Sequence, residues 1–415
     1  MTMANPQTYN RIPALRFPEF INDGEWEVKR LGDIAELYAG ATPLTTVAEY
    51  WENGTIPWMS SGEVHNGQIF KTEKAITTLG YDSCSTKMIP ANSVVVALAG
   101  QGKTRGTVAI TRIPLCTNQS LCSIIPNDNY NSDYLYLYLS SQYENLREIS
   151  SGDGSRGGLN LQMLRDFLIP FPPLAEQERI AQSLLVLEEL IKTASNKLEL
   201  LKSHKQGLMQ QLFAPLNGGG KSLIINRLQI PKIRFPEFEN TKGWEVKKLG
   251  EIITTITVTR KLPSTDYHEN GKYPIVDQSQ QYICGYSDDT EALIKLNGDA
   301  VIVFGDHTCT LKYIDFDFIQ GADGIKICKS SEHEKIDTQF LYYCLCASPI
   351  NPTEYKRHFS DLKEKSVSWP KALSEQRKIA DCLSSLDETI RLYNDKLTVL
   401  RHHKRGLMQQ LFPQA

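Results

Sequence analysis

EQERIAQSLLVLEELIKTASNKLELLKSHKQGLMQQLF, residues 176–213, returns at residues 375–412 as EQRKIADCLSSLDETIRLYNDKLTVLRHHKRGLMQQLF, with twenty of thirty-eight positions identical and no gap. In both copies apolar residues recur at alternating four- and three-residue steps, the signature of a coiled-coil seam. The first seam runs Ile180, Leu184, Leu187, Ile191, Ala194, Leu198, Leu201, Lys205, Leu208 and Leu212. The second runs Ile379, Leu383, Leu386, Ile390, Tyr393, Leu397, Leu400, Lys404, Leu407 and Leu411, so a lysine interrupts both stripes at the same step. Such a polar break can fix register. Pro172, Pro173 and Pro370 stand just ahead of the two stretches, where proline is tolerated. Thirty-eight helical residues span about 57 Å. One helix with this stripe cannot bury its seam alone, and the nearest complement is the other copy. The spacing predicts two long helices forming an antiparallel coiled coil, with the intervening chain folded as a domain between them.

A second, shorter repeat leads each half. RFPEFINDGEWEVKRLGDI at 16–34 and RFPEFENTKGWEVKKLGEI at 234–252 share thirteen of nineteen positions. The order is short repeat, variable segment, long repeat, and then the same order again, a pseudo-twofold internal duplication. The divisions expected are a first domain over 1–170, a helix over 171–213, a linker over 214–230, a second domain over 231–368 and a helix over 369–415. Asn217-Gly218-Gly219-Gly220 marks the linker. In the first variable segment β-like runs fall at 56–59, 94–98, 107–110 and 121–125, followed by a helical stretch around 134–149. In the second they fall at 273–276, 300–304, 311–314 and 325–328, with a helical stretch around 338–345. Both read as α+β domains of mixed small-sheet type.

Composition sets the class. An apolar content of 41% and a charged content of 22% over 415 residues describe a globular protein of two to four domains. No run has the length of a membrane span, and the N-terminus lacks the apolar core of a signal peptide. Nine cysteines without a C-x-x-C pair fit reduced thiols in a cytoplasmic protein, with no metal site. The net charge is −3. Residues 1–170 carry 13 basic and 17 acidic groups, and 231–368 carry 17 and 21, so each domain is −4. Any contact with nucleic acid therefore requires locally placed cations or a partner's phosphate contacts.

SVVVALAGQGKT, residues 93–104, resembles a phosphate-binding loop. Ala97 stands where the first glycine belongs, and the chain continues into a second β-like run where a helix should open. The same strand–glycine–polar loop–strand order recurs at 299–314, DAVIVFGDHTCTLKYI. These loops present Gln101, Lys103, Thr104 and Arg105 in one half, and Asp306, His307 and Thr308, with Lys312 beyond, in the other. Gln and Arg can bond base edges bidentately, and Lys or Thr can reach phosphates. The alternative is an ordinary hairpin turn with solvated tips.

Two unlike domains, each ending in a leucine-rich helix introduced by L-x-E-Q (174–177 and 373–376), resemble the specificity (S) subunit of Type I restriction–modification enzymes, the HsdS family. The doubled short and long repeats, GQGKTRGTVAI and GADGIKI (321–327) carry the likeness across nearly the whole chain. The resemblance implies a non-catalytic DNA reader. Each domain would be a target recognition domain for one half of a split, asymmetric site in double-stranded DNA, with the helices as ruler. Two modification (methyltransferase) subunits would dock on the helices, and restriction (motor-nuclease) subunits would join that core. No cofactor is expected on this chain; S-adenosylmethionine, ATP and Mg2+ belong to those partners. The resemblance also suggests that the loop at 151–160, with Ser155 and Arg156, faces DNA. Its counterpart at 358–365 carries Lys363 and Lys365; both could equally be hinges.

Motifs of catalysis are missing from the sequence. No N/D-P-P-Y/F motif for adenine methylation occurs, Asn351-Pro352-Thr353-Glu354 being the nearest. Glu27-Val28-Lys29 and Glu245-Val246-Lys247 have nuclease-like spacing but no Pro-Asp partner, and a β-edge or helix-entry role suits them better. Three classes compete: a DNA reader within a larger enzyme, a two-domain coiled-coil interaction scaffold, and a P-loop ATPase. The ATPase accounts for six residues only.

Overall fold

The computed structural model describes residues 11–413 apart from 101, 151–157, 214–230, 242, 259, 323 and 351–355. The expected linker and the Asn351–Glu354 stretch lie outside the described residues. The chain forms two compact units, Met1–Ala194 with Lys396–Ala415, and Ser195–Asp395. Each unit therefore holds one variable domain, part of one long helix and part of the other.

In the first unit a five-stranded sheet runs in the order Leu37–Ala39, Leu121–Ile124, Val94–Ala97, Val108–Thr111, Gln68–Ile69. Beside it a three-stranded sheet joins Lys74–Ile76, Ile56–Met59 and Cys116–Thr117. The second unit has a four-stranded sheet in the order Ile253–Ile256, Ile325–Ser330, Val301–Gly305, Leu311–Ile314. Its second sheet runs Gly285–Ser287, Tyr273–Val276, Phe318–Gln320, Leu293–Ile294. The central strands, Val94–Ala97 and Val301–Gly305, are buried along their whole length, as continuous apolar runs covered on both faces should be. The helical stretch expected around 134–149 is two helices, Ser132–Ser141 and Tyr143–Ile149, meeting at Gln142.

The E-V-K segments lie on strands. Glu27–Arg30 pairs antiparallel with Leu168–Phe171, and Glu245–Lys248 pairs with Ser366–Trp369. Each pairing ties the start of a domain to the strand that feeds its long helix. The repeated L-G that follows has a steric reason. A Cβ on Gly32 would lie 2.9 Å from Arg165 Cβ, and one on Gly250 would lie 3.1 Å from Lys363 Cβ.

The long helices span Leu174–Leu212 and Leu373–Leu411. All twenty seam positions named from the sequence are buried or half-buried. In the first unit Ile180, Ala181 and Leu184, at the start of one helix, share a core with Leu411 and Phe412, at the end of the other. In the second unit Ile379, Ala380 and Leu383 share a core with Met209, Leu212 and Phe213. The start of each helix lies beside the end of its partner, so they pair antiparallel.

The terminal phenylalanines of the long repeat explain their own recurrence. Phe412 meets Tyr134 and Tyr138 edge-on at 5.7 and 5.5 Å, and Phe213 meets Phe340 at 5.4 Å. Each plugs the core of a variable domain, a burial worth about 1.5–3 kcal/mol. The seam lysines are neutralised symmetrically: Lys205 Nζ lies 2.5 Å from Asp387 Oδ1, and Lys404 Nζ lies 2.5 Å from Glu188 Oε1. The acids also reach the domains. Tyr343 donates to Asp387 at 2.7 Å, and Gln68 donates to Glu188 at 3.2 Å. A register slip would break these bonds together with the apolar seam.

Candidate nucleic-acid interface

The repeated polar residues form an anchor that mounts each domain on its helix. Arg16 donates through Nε and Nη2 to both oxygens of Glu176, at 2.7 and 2.8 Å. Arg234 does the same to Glu375, at 2.7 and 2.6 Å. All four side chains are at most 7% exposed, and the Glu176 bond raises the Arg16 pKa above its ordinary value. The adjacent glutamines finish the joint. Gln177 accepts from the backbone N–H of Asn131 at 2.9 Å, and Gln376 from that of Asp337 at 2.8 Å. Asn131 and Asp337 are the N-caps of Ser132–Ser141 and Thr338–Ala347. The same glutamines donate to the carbonyls of Pro172 and Pro370, 2.8 Å away in each case. L-x-E-Q is thus a two-residue clamp, the Glu on the short repeat and the Gln on a helix cap.

On these anchors each domain carries a cleft, and the same two structural elements line both. One is the central hairpin; the other is the segment after the strand at 56–59 or 273–276. In the first unit the hairpin joins Val94–Ala97 to Val108–Thr111 and holds Gly102 and Gly106 at φ +63° and +83°. No helix follows Thr104, so the phosphate-loop geometry is absent: the glycines serve a tight strand-to-strand turn. A cleft of about 550 Å³ opens there, lined by His65, Lys103, Thr107, Tyr143, Glu144 and Arg147. Arg147 donates to the Gly102 carbonyl at 2.7 Å and Tyr143 to that of Lys103 at 3.2 Å, so the loop is held from behind. His65 Nε2 lies 3.2 Å from Thr104 Oγ1.

In the second unit the hairpin joins Val301–Gly305 to Leu311–Ile314. Its cleft, of about 430 Å³, is lined by Lys261, Gln278, Asp306, His307, Lys326 and Arg357. Three cations and a histidine thus gather in a domain whose total charge is −4. This local concentration is what binding to a polyanion requires of an acidic chain.

The residues singled out from sequence divide. Lys103 is exposed on the first cleft; Thr104 and Arg105 are half-buried beside it. His307 lines the second cleft, and Thr308 at its rim donates to the Gln278 carbonyl at 2.8 Å. Lys363 is exposed, with Nζ 5.4 Å from the Phe359 ring, on which Lys326 also sits at 5.7 Å. Gln101, Ser155 and Arg156 lie outside the described residues. Two readings are corrected, those of Asp306 and Lys312. Asp306 is 3% exposed, and its carboxylate accepts from the Phe359 N–H at 2.9 Å, stapling 358–359 to the hairpin. Lys312 is 3% exposed and donates to the carbonyls of Asp277, at 2.8 Å, and Gln281; desolvation lowers its pKa. Lys365 is half-buried, and burial lowers its pKa too. Asp306 and Lys312 thus spend their polar atoms on bonds within the fold. Sequence reading missed His65, Tyr143, Arg147, Lys261, Gln278, Lys326 and Arg357, which come from elements remote in the chain.

Comparison with known proteins fits this geometry. The family of the Type I restriction modification DNA specificity domain matches at residues 23–203 and again at 241–402. The chain belongs to that family. It is 31% identical over 257 residues to the Type I restriction enzyme MjaIX specificity subunit of Methanocaldococcus jannaschii, covering 61% of this chain and 57% of that one. It is 34% identical over 178 residues to the EcoR124I/EcoR124II specificity subunit of Escherichia coli, covering 42% and 43%. The matched stretches thus span about half the length of these two relatives. Against the MjaVIII specificity subunit of M. jannaschii identity is 24%, over 99% of this chain and 96% of that one. The crystal structure of a Type I restriction–modification S subunit from M. genitalium shares the fold, with a TM-score of 0.65 at 17% identity over 97% of this chain and 99% of that one. Among the described residues no helix is long and apolar enough to cross a membrane.

Lys103→Ala should weaken DNA binding about equally on all sequences and lower the slope of log affinity against log salt by about 1, as loss of one phosphate contact does. ATP titrations should stay flat in both proteins. Saturable micromolar ATP binding that the substitution abolishes would restore the phosphate-loop reading.

Proposed function

We propose that this chain is the non-catalytic DNA-reading subunit of a Type I restriction–modification enzyme. One observation carries the reading: identical anchors mount two clefts of the same construction but different side chains. A scaffold that only held partners would have no use for two unlike cationic clefts, whereas a reader of two unlike half-sites requires them. Each domain reads one half of a bipartite, asymmetric site in double-stranded DNA. Phosphate contacts from Lys103, or from Lys326 and Arg357, set the register, and polar groups in the cleft read base edges.

The paired helices set the spacer between the half-sites and dock two methyltransferase subunits, which bind S-adenosylmethionine. Restriction subunits supply ATP- and Mg2+-dependent translocation and cleavage. The chain works in the cytoplasm, beside the chromosome. Methylation mapping of a host that carries the methyltransferase gene with and without this gene tests the reading. A split, non-palindromic methylated motif should appear only when this gene is present. An unchanged methylome, with the complex assembled, would leave the scaffold reading in its place.

A further inference from the structure

Three segments of the second cleft meet at one residue, Asp306, just past the strand Val301–Gly305. Its backbone N–H donates to the Gly324 carbonyl at 2.6 Å, and its own carbonyl accepts from the His358 N–H at 2.8 Å. Its carboxylate accepts from the Phe359 N–H at 2.9 Å. Phe359 opens the short helix Phe359–Glu364, whose N-cap, His358, makes no side-chain cap bond. Asp306 thus supplies from outside an acceptor that the first turn of this helix needs.

The tied segments are the ones that carry the cations. Arg357 and Lys363 lie on either side of the capped residue and are exposed; Lys326, two residues beyond Gly324, is half-buried. Lys326 and Lys363 both sit on the Phe359 ring, at 5.7 and 5.4 Å, within reach of its π face. The ring rests in turn against Phe304 of the central strand, 6.3 Å between centroids. A shift of the Phe359 backbone would therefore carry with it the platform under two lysines and the neighbouring Arg357.

We propose that Asp306 is a positioning residue for DNA binding by the second domain. It holds Arg357, Lys363 and the Phe359 platform in place for phosphate contacts and touches no DNA itself. A buried carboxylate that only accepts cannot bond a phosphate, and by charge alone it opposes one. Charge and position therefore predict opposite signs for its removal. The inference rests on the DNA-reading function proposed above and adds to it how one set of phosphate contacts is held.

The test uses the full chain in complex with its methyltransferase subunits and a duplex bearing the methylated motif mapped in the host. Asp306→Ala should weaken binding roughly 10-fold, the worth of one charge-assisted hydrogen bond. The slope of log affinity against log salt should fall by about 1 to 2, as loss of one or two phosphate contacts makes it. Asp306→Asn keeps an acceptor for the Phe359 N–H and should restore both, since Asn caps as well as Asp. Arg357→Ala should weaken binding in the wild-type background and change little in Asp306→Ala, because the two act through one contact. Tighter binding by Asp306→Ala would overturn the assignment and leave only a repulsive charge. So would weaker binding with an unchanged salt slope and the full Arg357→Ala effect in both backgrounds, which marks a structural role. Asp306→Asn as weak as Asp306→Ala would count against it equally. A wild-type complex that binds the duplex no better than unrelated DNA would instead remove the DNA-reading function itself, and this assignment with it.

Discussion

Glu375→Ala should destabilise the second unit by about 3–5 kcal/mol, because it leaves the Arg234 guanidinium buried without its carboxylate. Arg234 is 6% exposed and makes both of its carboxylate bonds to Glu375, so no solvent can take over. The damage should spread through the neighbouring Gln376, whose amide holds the cap of the helix Thr338–Ala347. Glu176→Ala should act the same way on the first unit, where Trp26 also loses its acceptor at 3.1 Å. The exposed pair of Lys378 and Glu237 is the control, and Glu237→Ala should leave stability nearly unchanged, because solvent screens the pair. Chemical denaturation read by hydrogen exchange in each unit separates these cases. A loss below about 1 kcal/mol for Glu375→Ala would show that the repeated motif is not the anchor.

The second large effect concerns the helices. Inserting four residues after Lys192 should add roughly 6 Å to one arm of the coiled coil and introduce a stutter in its seam. One base pair of B-DNA adds about 3.4 Å of rise. The methylated motif should therefore keep both half-sites and gain one or two base pairs of spacer, at lower affinity. The ion pairs Lys205–Asp387 and Lys404–Glu188 fix the unaltered register, so affinity should fall before specificity does. An active complex with the original spacer would show that helix length is not the ruler.

What the sequence made legible was whatever local pattern and repetition dictate. The seam positions, the antiparallel pairing and most strands follow from periodicity, and the strands at 56–59, 273–276 and 311–314 fall where the alternation places them. The hairpin at 94–111 was legible because a second β run, and no helix, follows Lys103. The partners of the repeated residues were not. Arg16 and Glu176 are 160 positions apart, and each copy of a repeat reads the same whether its arginine is buried or solvated. The clefts were half legible for a related reason. Their hairpins carry a glycine-rich signal, while Gln278, Arg147 and Arg357 arrive from elsewhere with no local signature. Asp306 and Lys312 misled because a charged residue near a loop reads as outward, and only packing shows that these two are satisfied inside.

The claim at the centre is that the two domains read their half-sites independently, since the anchors repeat while the clefts differ. Replacing residues 253–368 with the corresponding segment of another specificity subunit, followed by single-base methylation mapping, tests it most directly. One half of the motif should change to that of the donor, with the other half and the spacer retained. A motif altered in both halves, from a complex that still assembles and methylates, would contradict it.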